Sequence, residues 1–299
     1  MKHNQWTIAD VLCWTVDHFG NLNFRTPRLD AELLMAFVLE CPRLELYLRS
    51  DKPLNANERH AYRDLVKKRA HGCPIAYLTG QKEFWSLTLI VNEHTLIPRP
   101  DTEMLVENSI KNIKYWQKFH PTSKCMIAEL GTGTAAIPLA ICSELENLTI
   151  LAIDCSMNAL KVAKENLLRY DFLLSKKNNR IELIESNLFS NVHPPSKIDF
   201  IISNPPYIPS DQISSLQAEI SQYEPRIALD GGSDGLDFYR YLLKVTPELL
   251  TLNGQMFLEI GSEQRSDLNM LLRSFPAWDS STFFQDLQGN DRVWELRLI

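Results

Sequence analysis

Asn204-Pro205-Pro206-Tyr207 follows directly on Ile198-Asp199-Phe200-Ile201-Ile202-Ser203, an apolar run that reads as a buried strand. Each proline fixes φ and removes a backbone donor, so this strand end offers mostly acceptors. Asn204 Oδ1 and the Pro205 carbonyl can each accept one N–H of a planar NH2 group, and the Tyr207 ring can cover its flat face. An adenine or cytosine amino group fits such a site, and so does a glutamine side-chain amide. The plainer alternative is a turn that ends a strand, since Asn-Pro and Pro-Pro are ordinary loop punctuation.

Residues upstream bear on that choice. Residues 126–130 form another short apolar run. Gly131-Thr132-Gly133-Thr134-Ala135-Ala136 follows, ahead of a helical pattern through Ile137, Leu139, Ala140 and Ile141. Strand, glycine turn and helix is the context of a nucleotide-binding loop. Gly131 and Gly133 permit a sharp turn close to a ligand. No Lys-Ser/Thr follows the glycines, which excludes a P-loop, and Ala135-Ala136 stand where a dinucleotide fingerprint has its third glycine. Glu129 would repel a pyrophosphate and attract an ammonium group. Residues 148–153 read as the next strand, closed by Asp154, 23 positions after Gly131. An acid there can accept hydrogen bonds from ribose hydroxyls. It can also cap the helix of residues 156–169, a role open to Ser156 itself. After a third strand, 181–185, Asn187 is expected to bond an adenine amino group and Leu188 or Phe189 to pack on its ring; Phe189 reads equally well as core. A nucleoside with a cationic amino-acid tail suits these residues, which favours S-adenosylmethionine over NAD.

Other segments narrow the reading further. They are Arg28-Leu29-Asp30-Ala31-Glu32-Leu33-Leu34, Pro74-Ile75-Ala76-Tyr77-Leu78-Thr79-Gly80, Glu83-Phe84-Trp85 and Leu96-Ile97-Pro98-Arg99-Pro100-Asp101-Thr102-Glu103. After the tetrapeptide come Glu224-Pro225-Arg226, Leu229-Asp230-Gly231-Gly232 and Asp234-Gly235-Leu236-Asp237-Phe238-Tyr239. With these, nearly the whole chain resembles the class I methyltransferases, and within them the protein-(glutamine-N5) methyltransferases that modify peptide chain release factors. The resemblance implies methyl transfer from S-adenosylmethionine to the side-chain amide of the glutamine in a Gly-Gly-Gln motif. It makes Asn204 and Pro205 catalytic, and sets Asn204, Pro205, Pro206 and Tyr207 at the substrate. Glu129, Gly131, Thr132, Gly133, Thr134, Ala135, Asp154, Asn187, Leu188 and Asn204 would hold the cofactor. Arg99 is readable either near the cofactor carboxylate or as a structural arginine. Glutamine methyltransferases of ribosomal proteins share the tetrapeptide but typically lack the Gly80 and Glu83-Phe84-Trp85 pattern. N6-adenine DNA methyltransferases share the tetrapeptide alone, and would flip a base into the same pocket. A binding module that keeps the fold without the reaction is a further alternative. Two departures stand out. Ala135 replaces the family's usual glycine, so the backbone there is expected at φ < 0. Asn187 replaces an acid, keeping an acceptor without its charge.

The elements that carry these residues follow from periodicity. Helical spacing recurs through Ile8, Val11, Leu12, Val16 and Phe19, then through Leu29, Leu33, Leu34 and Phe37, and a third helix is predicted over 57–71. This gives a helical domain over residues 1–75, which the resemblance makes a docking domain for the protein substrate, together with the 224–239 region. Residues 76–96 read as a β-hairpin linker. Residues 97–299 read as the methyltransferase domain: a helix to Tyr115 capped by Asp101 or Thr102, then alternating strands and helices. The fold class is α/β, a Rossmann-like sheet of about seven strands behind a small all-helical domain. Strands near 255–260, 281–285 and 293–298 complete the sheet, the last two as a hairpin through Gly289.

With 299 residues, 44% hydrophobic and 23% charged, the composition is that of an ordinary globular protein, and a net charge of −6 argues against an enzyme gripping many DNA phosphates. Six cysteines without a C-x-x-C pair read as reduced thiols, and seven histidines show no metal-ligand spacing. Residues 1–6 lack a signal core, and no apolar run reaches about 18 residues. A cytoplasmic monomer with no metal, no membrane contact and no direct nucleic acid partner is expected.

Overall fold

The computed structural model describes residues 6–190, 192–194 and 196–298. Most of the N-terminal stretch read as lacking a signal core lies outside them. The chain divides into two units, with a boundary at Gln81/Lys82 rather than after residue 75.

Among the described residues the first unit holds the helices α1 Ile8–Asn21, α2 Pro27–Val38, α3 Arg43–Leu48, α4 Ala56–Ala70 and α5 Ile75–Thr79. Capping boxes open α1 at Thr7 and α4 at Asn55. The apolar stripes meet in a core of Ile8, Phe19, Leu34, Met35, Leu46 and Tyr62. The expected linker loses its first residues to this unit. Pro74 opens α5, Gly80 ends it in a left-handed conformation (φ 69°), and Ile75 and Leu78 pack on the helical core. Gln217–Tyr223, distant in sequence, also belongs to the first unit. Buried Arg69 secures this segment, donating to Glu219 Oε2 at 2.7 Å and to Asp30 Oδ2 at 2.8 Å.

The second unit opens with a short hairpin, β1 Gln81–Phe84 (Gln81 falling at the boundary) and β2 Leu87–Ile90, followed by α6 Thr102–Phe119. Then β3 Cys125–Leu130, α7 Ala136–Glu144, β4 Leu148–Asp154, α8 Met157–Arg169, α9 Asp171–Lys176, β5 Arg180–Glu185 and β6 Ile198–Ser203 alternate, and β7 Leu250–Glu259, β8 Trp278–Gln285 and β9 Asp291–Leu298 close the sheet. The order is β5-β4-β3-β6-β7-β9-β8, parallel from β5 to β7 and antiparallel at β9 and β8. Alternate residues serve opposite faces. Ile127, Ile150, Phe200 and Phe257 fill one core, and Ala128, Leu151, Ile201 and Leu258 the other. Among the described residues no helix is long and apolar enough to cross a membrane, and no cluster of His, Cys, Asp and Glu could hold a metal ion.

Candidate active site

The pairing register aligns the strand ends. Leu130 pairs with Ile153 and Ser203, and Asp154 with Glu185. The residues just beyond therefore share the carboxyl edge of the sheet, where the chain order reverses on either side of β3; open α/β sheets bind ligands at such a point. A cleft of about 860 Å³, counted out to open solvent, lies there. Of the residues expected to form the site, Gly131, Gly133, Asp154, Asn187 and Leu188 line it, as do Asn204, Pro205 and Pro206. Glu129, Thr132, Thr134 and Ala135 sit buried behind that lining, and Tyr207 is outside it.

The loop after β3 is shaped by backbone bonds. The N–H groups of Gly131 and Thr132 both donate to the Ile153 carbonyl, at 2.9 and 3.0 Å. Gly131, Gly133 and Ala135 are left-handed, with φ of 72°, 53° and 61°. This overturns the expectation of φ < 0 at Ala135. The loop needs a left-handed residue just before α7, and alanine accepts the conformation at a cost of about 1–2 kcal/mol. Asp154 is engaged by the backbone: Oδ2 accepts from Gly133 N and Oδ1 from Ser156 N, both at 2.9 Å. Capping of α8 falls to Ser156, whose hydroxyl accepts from Ala159 N. Burial pushes the Asp154 carboxyl above its ordinary value, opposed by these N–H groups.

Glu129 is 2% exposed, and its Oε2 has no hydrogen-bond partner among the described residues. Burial pushes its carboxyl up to about 8. A cationic amino group would supply the missing donor, so this orphaned oxygen fits an amino-acid tail.

The loop after β6 leaves two acceptors open. Asn204 Nδ2 donates to Thr102 Oγ1 at 3.1 Å, which turns Oδ1 the other way. Among the described residues no donor meets Asn204 Oδ1 or the Pro205 carbonyl. The loop is braced from behind. Gln264 Nε2 donates to the Tyr207 carbonyl at 3.2 Å, and Gly231 N to the Ile208 carbonyl at 2.9 Å. A Cβ on Gly231 would lie 2.8 Å from both the Pro206 carbonyl and Tyr207 Cα, so only glycine allows this approach. Tyr239, from the region expected to dock substrate, is fully buried and donates to the Glu259 carbonyl at 2.9 Å. Arg99 pairs with buried Glu224 at 2.5 Å, and Glu224 also accepts from Ile97 N. Its role is to hold the chain ahead of α6. Asp101 precedes α6 without capping it, and pairs with Arg292 at 3.1 Å.

The sequence reasoning missed three contributors. Residues 94–96 line the cleft, Thr102 is the partner of Asn204, and buried Glu259 stands behind both. A signal for Glu259 was present: like Glu129, it is an acid at the end of an otherwise apolar strand run.

A Rossmann-like sheet with a glycine loop, an acid after the second strand and open acceptors at the fourth defines a class I methyltransferase. In agreement, the PrmC N-terminal domain family model matches residues 10–80, and that of the methyltransferase small domain matches residues 114–223. The chain is 35% identical to the release factor glutamine methyltransferase of Rhodopirellula baltica, over 98% of this chain and 96% of that one. It is equally identical to the enzyme of the same name from Geobacter sulfurreducens, over 98% and 97%. The crystal structure of the hMettl16 catalytic domain in complex with MAT2A 3'UTR hairpin 1 shares the fold, with a TM-score of 0.53 and 18% identity over 79% of this chain and 80% of that one. This chain belongs to the release factor glutamine methyltransferase family.

Proposed function

We propose that this protein methylates the side-chain amide nitrogen of the glutamine in the Gly-Gly-Gln motif of peptide chain release factors, using S-adenosylmethionine. The single observation that carries the reading is the pair of open acceptors, Asn204 Oδ1 and the Pro205 carbonyl, at the end of β6. S-adenosylmethionine, when bound, supplies a methyl group on a positively charged sulfur. Glu129 would hold its amino group, Asp154 its ribose, and Asn187 and Leu188 its base.

An amide nitrogen is a poor nucleophile because its lone pair is shared with the carbonyl. Two acceptors that take both N–H groups fix the nitrogen's direction, and orientation of this kind supplies roughly 7–11 kcal/mol in favourable cases. They also stabilise the positive charge that grows on the nitrogen. As the nitrogen gains its methyl it becomes strongly acidic and sheds a proton to solvent, so no dedicated base is required. A substrate group lacking two N–H donors would leave these acceptors unpaired, which selects against it. The helical first unit supplies the surface that docks the release factor.

Methyl incorporation tests this directly. Radiolabelled methyl should enter purified release factor and not duplex DNA. Label in DNA alone would replace this reading with that of an adenine methyltransferase.

A further inference from the structure

Glu259 closes β7 and is 2% exposed. Ser203 pairs with Leu258 in the parallel β6–β7 register, so Asn204 and Glu259 come next on neighbouring strands. Oε2 of Glu259 has no hydrogen-bond partner among the described residues. A buried carboxylate oxygen without a donor is costly, and apolar packing alone does not explain it. Thr102, the first residue of α6 and 5% exposed, accepts from Asn204 Nδ2 at 3.1 Å. The Thr102 hydroxyl and the Asn204 amide both lie near enough to the Glu259 carboxyl to favour its ionised form.

We propose that Glu259 is a positioning residue for methyl transfer: with Thr102 it keeps the Asn204 amide turned so that Nδ2 faces inward and Oδ1 faces the substrate amide. The proposal rests on the glutamine-methylation reading given above. An asparagine amide rotated by half a turn exchanges its acceptor for a donor. A donor in that place would oppose the substrate NH2. Ionised Glu259 only accepts, so it holds Nδ2. Protonated Glu259 donates, and so competes for Oδ1.

The surroundings set where this change falls. Burial pushes the Glu259 carboxyl up to about 7, against the pull of the Thr102 hydroxyl, with Asp101 just before α6 adding to the rise and Arg292 on β9 and the Asn204 amide opposing it. Arg292 is itself shared between Asp101 at 3.1 Å and Asp286 at 3.0 Å. Tyr207 lies beyond β6, and the Tyr239 phenol donates to the backbone carbonyl of Glu259 rather than to its carboxylate. The orientation of Asn204 is therefore sensitive to pH in the neutral range.

The test compares kcat against pH for wild type and Glu259→Gln, with intact release factor as substrate and a parallel cofactor titration. Wild-type kcat should rise between about pH 6 and about pH 8. In Glu259→Gln, kcat should fall about tenfold or more and that rise should vanish, with cofactor affinity within about threefold of wild type. Wild-type kcat with an unchanged rise in the variant overturns the proposal. Wild type that fails to methylate release factor at all overturns the functional reading instead. If Glu259→Gln does not fold, Thr102→Val against Thr102→Ser decides. The valine variant should be slower than the serine variant by about tenfold, and equal rates contradict the relay.

Discussion

The two rims of the cleft are built on different principles. The loop after β3 is held by its own surroundings: Gly131 and Thr132 bond to Ile153, and Gly133 to Asp154, 21 positions away. The loop after β6 is held from far off. Asn204 is fixed by Thr102, 102 positions upstream, and Tyr207 by Gln264, 57 positions downstream. A rim held by bonds to the end of the adjacent strand accommodates change, as Ala135 shows. A rim aimed by distant side chains has little slack, because each brace determines where an acceptor points.

The largest effect separating the rims should come from Asn204→Ala. Losing an acceptor used in the transition state costs about 3 kcal/mol or more, a hundredfold or greater in kcat. Calorimetry should find cofactor affinity nearly unchanged, and turnover within about threefold of wild type would break the distinction. Gly231→Ala probes the same rim from behind. Its Cβ would press on the Pro206 carbonyl and Tyr207 Cα, both 2.8 Å away. Displacing the acceptors should lower kcat about tenfold to hundredfold while cofactor binding holds. Equal losses in both would show that the rims are not independent.

On the opposite rim, Asp154→Ala removes the acceptor of two backbone N–H groups and, in the proposed reading, a ribose partner. Cofactor affinity should drop about tenfold to a hundredfold, read by titration, with a smaller change in kcat at saturation. Unchanged affinity would confine Asp154 to loop structure. Glu129→Gln tests the buried acid through stability. Burial raises its carboxyl from 4.5 to about 8. The folded protein thus keeps this proton to higher pH than the unfolded chain, and stability from this group, full below about pH 4.5, is lost as pH rises through about 8. Without cofactor, Glu129→Gln should therefore melt above wild type near pH 8.5, and close to it near pH 5. A gap independent of pH would contradict the raised value. The smallest effect belongs to Ala135→Gly, which relieves a left-handed alanine and should stabilise the fold by about 1 kcal/mol, seen as a few degrees in Tm.

What could be read from the chain divides along the same line. β6 and the residues around Gly131 and Asp154 were legible because periodicity, glycines and strand-end acids are local signals. The tetrapeptide was legible as a set of acceptors, but not the orientation of Asn204, whose Nδ2 bonds to Thr102 and so depends on how α6 packs. Ala135 was misjudged because a replaced glycine says nothing about whether the backbone yields or the side chain endures. The domain boundary moved because Pro74 and Gly80 frame a helical turn, α5, within what read as linker. The return of residues 217–223 to the helical unit left no pattern in the sequence, since the Arg69–Glu219 pair joins positions 150 apart. That pair also bears on truncation: cutting before Lys82 removes Arg69 and leaves Glu219 without its partner.

The central claim, that the open acceptors after β6 receive a glutamine amide, is tested most directly by tandem mass spectrometry of release factor incubated with the enzyme and S-adenosylmethionine. A single methyl should appear on the side-chain amide of the Gly-Gly-Gln glutamine, and a substrate with that residue changed to glutamate should gain none. Methyl on any other residue, or an undiminished gain on the glutamate substrate, would contradict it.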